Sequence, residues 1–203
     1  MKINSTEAYR KIKQGGVVAI PTDTVYGLVA SIEKNEAIKE IYHLKNRPLH
    51  KPLIILISDP EEILPFIKTL PEGADLLIKH FWPGALTLIF SANQLSVPSM
   101  IRADLPSIGF RIPNCIETLN LLKMTGPLAS SSCNISDEKA ATSLQDAEKI
   151  FGKSFPVLES SIIPTGQAST ILLYKKNRWR IEREGAISQQ MLKSLLTPNN
   201  FNR

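Results

Sequence analysis

Leu44-Lys45-Asn46-Arg47-Pro48-Leu49-His50-Lys51-Pro52-Leu53-Ile54-Ile55-Leu56-Ile57 is the stretch from which the fold class is read. Three permanent cations, Lys45, Arg47 and Lys51, fall within seven positions, with no acid among them. Pro48 and Pro52 stop the preceding helix and fix part of the backbone. The fully apolar run at 53–57 reads as a buried strand. Helix, stiff cationic loop and core strand therefore follow one another directly. Such a loop suits an anionic ligand.

Working outward, the same alternation of helix and strand continues. Asn4 and Glu7 mark a helix start, and Gly15-Gly16 ends that helix. A short strand is expected at 17–20, a polar loop at 21–28 and a helix at 35–44. Beyond the central strand, Ser58-Asp59-Pro60-Glu61-Glu62 opens two short helices over 60–81, broken near Pro71. Strands follow at 85–90 and 107–112, with an irregular segment at 91–106 between them. A helix over 116–124 is capped by Asn114. Residues 129–136 form a hydroxyl-rich loop, and Thr142 or Ser143 caps a helix to about 151. Strands at 169–174 and 178–181 pair through a turn at 175–177. A helix over 188–196 precedes a polar, frayed tail at 197–203. The reading is one α/β domain with a twisted mixed β-sheet and flanking helices.

Bulk composition narrows the function classes. At 203 residues, 43% apolar and 21% charged, the chain can bury a sizeable core. No run of about 18 apolar residues occurs, and the polar start is unlike a signal peptide. Cys115 and Cys133 lack metal-ligand spacing and do not make a disulfide scaffold. His43, His50 and His80 form no metal pattern, so no metal site is expected. Together these features lead us to expect a soluble, cytoplasmic protein without a membrane partner. The net charge of +5 fits a polyanionic partner such as RNA or a nucleotide. Many soluble proteins with that charge bind no nucleic acid.

Walker, Rossmann, metalloprotease and Gly-x-Ser-x-Gly signatures are all missing from the sequence. Any phosphate site must be built from loops and cations. Four polar clusters are candidates. Thr22-Asp23-Thr24 with Tyr26 follows a strand, where crevices open in α/β sheets; a simple Asx turn is the competing reading. Lys45, Arg47 and Lys51 suit phosphate or carboxylate; a solvated helix end is the competing one. Ser107 and Arg111, four apart on a strand, face one side. Arg111 needs an acidic partner, either internal or a bound carboxylate. Ser132, Asn134 and Ser136 alternate along an extended loop, and a serine-rich turn is the alternative. Ser169-Thr170 after Gly166, and Arg183 before Gly185, join these clusters.

Taken in order, these residues carry a resemblance. Pro21-Thr22-Asp23-Thr24-Val25-Tyr26-Gly27-Leu28, Lys45-Asn46-Arg47-Pro48, Lys51-Pro52-Leu53, Trp82-Pro83-Gly84-Ala85-Leu86-Thr87, Phe110-Arg111-Ile112-Pro113, Ser132-Cys133-Asn134-Ile135-Ser136, Thr142, Gly166 with Ser169-Thr170, and Arg183-Glu184-Gly185-Ala186-Ile187 resemble the YrdC-like threonylcarbamoyl-AMP synthases. The resemblance covers residues 17–187. It implies a YrdC-like domain over 1–187, in the short single-domain form, with a C-terminal helix and polar tail at 188–203. The fold it implies surrounds a large, positively charged cleft.

The implied reaction joins L-threonine, bicarbonate or CO2, and ATP into threonylcarbamoyl-AMP and pyrophosphate. The product serves the N6-threonylcarbamoyl modification of adenosine 37 in tRNAs reading ANN codons, through a partner transferase machinery. Direct tRNA binding by this chain is an open partner expectation. By resemblance, Lys45, Arg47, Ser132 and Asn134 form a catalytic tetrad. Thr24, Arg111, Ser132 and Ser169 hold threonine, with Arg111 on its carboxylate. Arg47, Lys51, Ser107, Asn134, Thr142 and Arg183 surround ATP. Mg2+ comes with ATP, and no tightly bound cofactor is expected.

Four positions depart from the family pattern. Leu56 replaces a frequent His, Cys133 an Ala, Asp137 a Gly and Glu184 a Pro. Of these, Glu184 is expected to compete for the Arg183 guanidinium. The competing class is a non-catalytic RNA-binding module on the basic face, which the lack of an aromatic stacking platform disfavours. A carbamoyl-handling enzyme with additional acylphosphatase and zinc-finger parts is a further alternative.

Overall fold

The computed structural model describes residues 1–196 and 201–202. The remaining positions of the expected tail, 197–200 and 203, lie outside the described residues. Among the described residues, eleven strands form one mixed sheet. In chain order they are β1 (Lys2–Ile3), β2 (Val18–Ile20), β3 (Gly27–Ser31), β4 (Ile54–Leu56), β5 (Leu86–Ser91), β6 (Ser107–Arg111), β7 (Leu128–Ser132), β8 (Val157–Leu158), β9 (Thr170–Lys175), β10 (Arg178–Arg183) and β11 (Phe201–Asn202). Their order across the sheet is β1-β8-β2-β3-β7-β4-β6-β5-β9-β10-β11. The helices are α1 (Ser5–Lys13), α2 (Asn35–Leu44), α3 (Ala74–Phe81), α4 (Ser99–Arg102), α5 (Ile116–Thr125), α6 (Leu144–Phe151) and α7 (Gln189–Leu195), with a 3-10 segment at Pro60–Phe66. No described helix is long and apolar enough to cross a membrane.

Local chemistry accounts for the helix starts. Asn4 and Glu7 form a reciprocal capping box on α1, at 2.9 and 3.0 Å. Ser143 accepts the Asp146 N–H at the start of α6. α2 turns Ala37, Ile38, Ile41 and Tyr42 inward, a stripe of helical period. It then stops at Leu44, where the cationic loop begins.

The two faces of the sheet are covered unequally, and the cleft follows from that. One face is sealed along its length. There Leu28, Ile55, Leu88, Phe110 and Leu172 pack with Ile38 and Ile41 of α2, Leu77 of α3 and Leu192 of α7. On the other face, Ala8 and Ile12 of α1 and Leu121 and Leu122 of α5 cover Val18, Ile20, Val29 and Leu128, and that cluster ends at Leu56 and Ile54. Past that edge, alternate residues of β4, β6, β5 and β9 line an opening: Ile54, Gly109, Thr87, Ile89 and Ile171 floor a cleft of about 670 Å3. Gly109 keeps the floor low. A Cβ there would stand 3.1 Å from Ile54 Cγ2 and 3.4 Å from both Ile89 Cγ1 and Thr87 Cγ2.

Several sequence expectations are corrected. The loop expected at 21–28 is present over 21–26 and ends two residues early, where β3 begins at Gly27; its Leu28, Val29 and Ala30 are all fully buried. The hydroxyl-rich loop at 129–136 is half strand: β7 runs to Ser132 and pairs antiparallel with β3 and β4. α4 occupies part of the segment expected to be irregular. Cys115, not Asn114, stands at the start of α5, without a side-chain cap. Phe201–Asn202, expected to fray, pairs parallel with β10 and buries Phe201. The hairpin turn matches expectation, with Lys176 and Asn177 at φ 52° and 58°, the positive-φ pair that a tight hairpin uses.

Candidate functional site

Ten of the eleven residues singled out for the site line this one cleft. Thr24, Arg111, Ser169, Ser107 and Arg183 stand on the β6–β5–β9 side, and Lys45, Arg47, Lys51, Ser132 and Asn134 on the α2–β7 side. Thr142 is not among the lining residues. It faces a neighbouring pocket of about 360 Å3, and its hydroxyl donates to Asp146 Oδ2 at 3.1 Å. Its Cγ2 would be 3.6 Å from a Cβ on Gly166, so only the Gly166 backbone turn stands between it and the cleft.

The first end is built around Arg111, 5% exposed at the end of β6. Its Nη2 pairs with Asp23 Oδ1 at 2.5 Å, its Nη1 donates to Thr24 Oγ1 at 2.7 Å, and its Nε donates to Gly84 O at 2.8 Å. The acidic partner that the sequence demanded is therefore internal. Asp23, placed in a candidate polar cluster with an Asx turn as the competing reading, answers Arg111 from 88 positions away and also accepts the Asn114 N–H at 3.0 Å. Burial lowers the guanidinium pKa, and the Asp23 charge opposes that shift. Three of five N–H donors are committed, which leaves two for a ligand.

The hydroxyls at this end are oriented. Thr22 Oγ1 donates to Val25 O at 2.6 Å, so the 3.0 Å contact between Thr22 and Thr24 takes the Thr24 hydrogen. Thr24 then presents only lone pairs, one of them to Arg111. Ser169 and Thr87 share a hydrogen bond of 2.9 Å between β9 and β5. Arg183 reaches this end through a register shift between Ile181 and Arg183 in β10, which sets Arg183 opposite Ile171, a cleft residue. Its Nη2 donates to Ser169 O at 2.9 Å. Gly185 permits that approach, because a Cβ there would sit 2.2 Å from Ala168 O. The competition expected from Glu184 does not occur: its carboxylate accepts the Gln189 N–H at 2.9 Å.

The second end is built around Lys45, 1% exposed just past α2. Its ammonium donates to Ser132 O, to Asn134 O at 2.7 Å and to Asn134 Oδ1 at 3.2 Å. Burial, with Arg47 nearby, pulls its pKa down to about 8. Arg47 donates to Lys51 O at 3.1 Å and Pro52 O at 2.7 Å, so the proline loop clamps it by its own carbonyls. Its Nη1 has no partner among the described residues. Lys51 pairs with Asp137 Oδ1 at 3.1 Å across the mouth. Ser132 is exposed, and its hydroxyl has no partner among the described residues.

Sequence reasoning missed the supports: Asp23 as counter-ion, Thr22 and Thr87 as hydroxyl partners, and the apolar floor. The floor was detectable as period-two alternation along 86–90 and 107–111. Its polar and apolar members differ too little in a half-covered sheet to stand out. The arrangement can hold a small anion-bearing molecule at the Arg111 end and a polyanion at the Arg47–Lys51 end, above an apolar surface.

Comparisons with known proteins agree with this geometry. The family model named for Sua5, YciO and YrdC, described as "Telomere recombination", matches residues 10–185. Threonylcarbamoyl-AMP synthase of Bacillus subtilis is 31% identical over 194 residues, 95% of this chain and 56% of that protein. The Pyrococcus abyssi enzyme of the same name is 37% identical over 163 residues, 79% of this chain and 48% of that protein. The chain thus spans about half the length of these curated relatives. A crystal structure of P. abyssi Sua5 complexed with L-threonine superposes with a TM-score of 0.92 at 29% identity, over 100% of this chain and 62% of that one.

Proposed function

This chain belongs to the Sua5–YciO–YrdC family, and from that premise we propose that it forms L-threonylcarbamoyl-AMP and pyrophosphate from L-threonine, bicarbonate or CO2, and ATP. One observation carries the reading. A single cleft has at one end a buried arginine with two free donors beside oriented hydroxyls, and at the other a clamped pair of cations. The threonine carboxylate fits Arg111, and its hydroxyl fits the remaining lone pair of Thr24 and the Ser169–Thr87 pair. The related Sua5 complexed with L-threonine supports L-threonine as a substrate. The triphosphate fits Arg47, Lys51 and Arg183, with Ser107 beside them and Thr142 behind the Gly166 turn.

Two steps follow. The threonine amine attacks CO2 and loses a proton, or attacks bicarbonate and expels water, to give a carbamate. A carbamate oxygen then attacks the α-phosphorus, and the α–β bridging oxygen leaves with pyrophosphate. Both steps need alignment and charge stabilisation rather than a protein nucleophile. Arg47 and Ser132 project the unused donors that face such charge. Mg2+ enters with ATP as part of the substrate. Asp137 and Glu138 are the cleft's carboxylates among the described residues, too few for a dedicated cage. The product is an activated carbamoyl donor for a transferase acting on adenosine 37 of tRNA, which assigns the protein to the cytoplasm. Direct tRNA contact belongs to the same reading.

The test is pyrophosphate release by the purified protein. Release should require L-threonine, bicarbonate and ATP together, with threonylcarbamoyl-AMP identified by mass. Binding of RNA without any heat of binding for threonine or ATP would overturn the reading in favour of an RNA-binding module.

A further inference from the structure

We propose that Lys45 is a positioning residue, not a substrate contact: its ammonium shapes the loop at 132–138 so that the Ser132 hydroxyl faces the reacting groups. The inference rests on the synthase reading above and assigns a division of labour within the tetrad.

Donor counting carries it. An ammonium has three N–H donors and no acceptor. All three face protein oxygens: Ser132 O, Asn134 O and Asn134 Oδ1. None is left for a carbamate or a phosphate. Asn134 is equally committed, because its Nδ2 donates to Ile135 O at 2.7 Å and to Glu138 O at 2.9 Å. The Lys45 carbonyl in turn accepts the Ser136 N–H at 2.8 Å. Side chain and backbone of one residue thus hold both limbs of the loop. Arg47 and Ser132 keep unused donors; Lys45 and Asn134 keep none.

The surroundings make the arrangement costly and hence pH-sensitive. No ion pair among the described residues involves Lys45. The charged and titratable groups around it are Arg47 from the loop after α2, Cys133 from the segment after β7, and, across the cleft mouth, Lys51 paired with Asp137, beside Glu138. Arg47 disfavours the charged form and Cys133 favours it. Loss of one proton would leave two hydrogens for three acceptors and loosen the loop that carries Ser132.

A double-mutant cycle with pyrophosphate release as readout separates positioning from contact. If Lys45 acts through Ser132, Lys45→Met already loses what Ser132 contributes. Adding Ser132→Ala should then change kcat/KM by less than about threefold, although Ser132→Ala alone costs on the order of tenfold or more. Multiplying losses would overturn the proposal. A pH profile gives an independent arm. Wild-type kcat/KM should fall above about pH 8, and Asn134→Asp, which sets a carboxylate against the ammonium, should move that limb up by about one unit. An unmoved limb would also overturn it. Thermal unfolding of each variant identifies any that fails to fold, and the remaining arm then decides. A wild type without threonine-dependent release removes the synthase reading and this proposal with it; an active wild type with multiplying losses removes only this proposal.

Discussion

The two ends of the cleft solve the same problem in opposite ways. Each buries a cation almost completely, Arg111 at 5% exposure and Lys45 at 1%. Arg111 has a carboxylate partner, Asp23, 2.5 Å away. Lys45 has only carbonyl and amide oxygens. The Arg111–Asp23 pair at the first end is therefore compensated before a ligand arrives and recognises shape and hydrogen bonding, while Arg183 beside it keeps its charge. The second retains net positive charge, kept in place by backbone dipoles. The difference teaches where each kind of substrate group belongs: a single carboxylate needs two aimed donors, whereas a polyphosphate needs uncompensated charge.

The largest effect should come from breaking the compensated end. Arg111→Ala strands Asp23 and removes the donor that orients Thr24, so it should destabilise the protein by about 3–5 kcal/mol. Thermal unfolding checks this, and threonine-dependent turnover should fall below detection. Stability close to wild type would mean that Asp23 relaxes into solvent and that the end is not preformed. A smaller effect is expected at the other end. Ser132→Ala removes an exposed hydroxyl without a protein partner, so stability should change by less than about 0.5 kcal/mol. Turnover should nevertheless drop by about 1.4 kcal/mol or more, tenfold in kcat/KM. A fall in unfolding temperature with unchanged turnover would reverse the comparison.

What the sequence revealed divides along the same line. The cationic loop and its proline brackets are local, so Lys45, Arg47 and Lys51 could be singled out from spacing. The sheet was legible wherever apolar runs were long enough, as at 53–57 and 85–90. β1 and β8 are two residues each, too short for any period to register. β7 ends in three serines that pair through their backbones, so its polar composition concealed a strand. The Asp23–Arg111 pair joins positions 88 apart through β-sheet topology, which no local pattern reports. The register shift that turns Arg183 into the cleft is likewise a property of pairing rather than of composition. The demand that Arg111 have an acidic partner was legible from desolvation cost; which acid it was depended on the fold.

Titration of Lys45 should sharpen the contrast through stability. Its pKa is lowered to about 8 in the folded protein, against about 10.4 in an unfolded chain. Between those values the unfolded chain binds more protons at this site, so its contribution to stability rises with pH across that window. Below about 8 the burial penalty is present in full. Stability of wild type relative to Lys45→Met should therefore climb by up to about 3 kcal/mol from pH 8 to 10.4, while turnover falls over the same range. Denaturant unfolding of both proteins at stepped pH reads the difference. Taking it against Lys45→Met removes the opposing contribution of Tyr26, whose raised pKa of about 12 acts in both proteins; Cys133, which burial raises and Lys45 lowers, is shifted further up in the variant. A flat difference would mean that Lys45 is no more desolvated than an ordinary surface lysine.

The smallest expected effect tests whether the acid at the second end is exchangeable. Asp137 stands at φ 68° with its side chain 83% exposed, and its partner Lys51 is 38% exposed. Exposed pairs of this kind contribute about 0–1 kcal/mol, so the bond can be given up when phosphate competes for Lys51. Asp137→Asn keeps a residue that tolerates positive φ and removes only the charge. The KM for ATP should then fall about two- to threefold at low salt, a gain of well under 1 kcal/mol. That gain should shrink as ionic strength rises, because both charges are solvent-exposed. Free-protein stability should stay within about 0.5 kcal/mol of wild type. A rise in the KM for ATP would instead make Asp137 a contact to the nucleotide or its cation. The second end would then contain a working acid, as the first does, and the contrast between a compensated and an uncompensated end would fail.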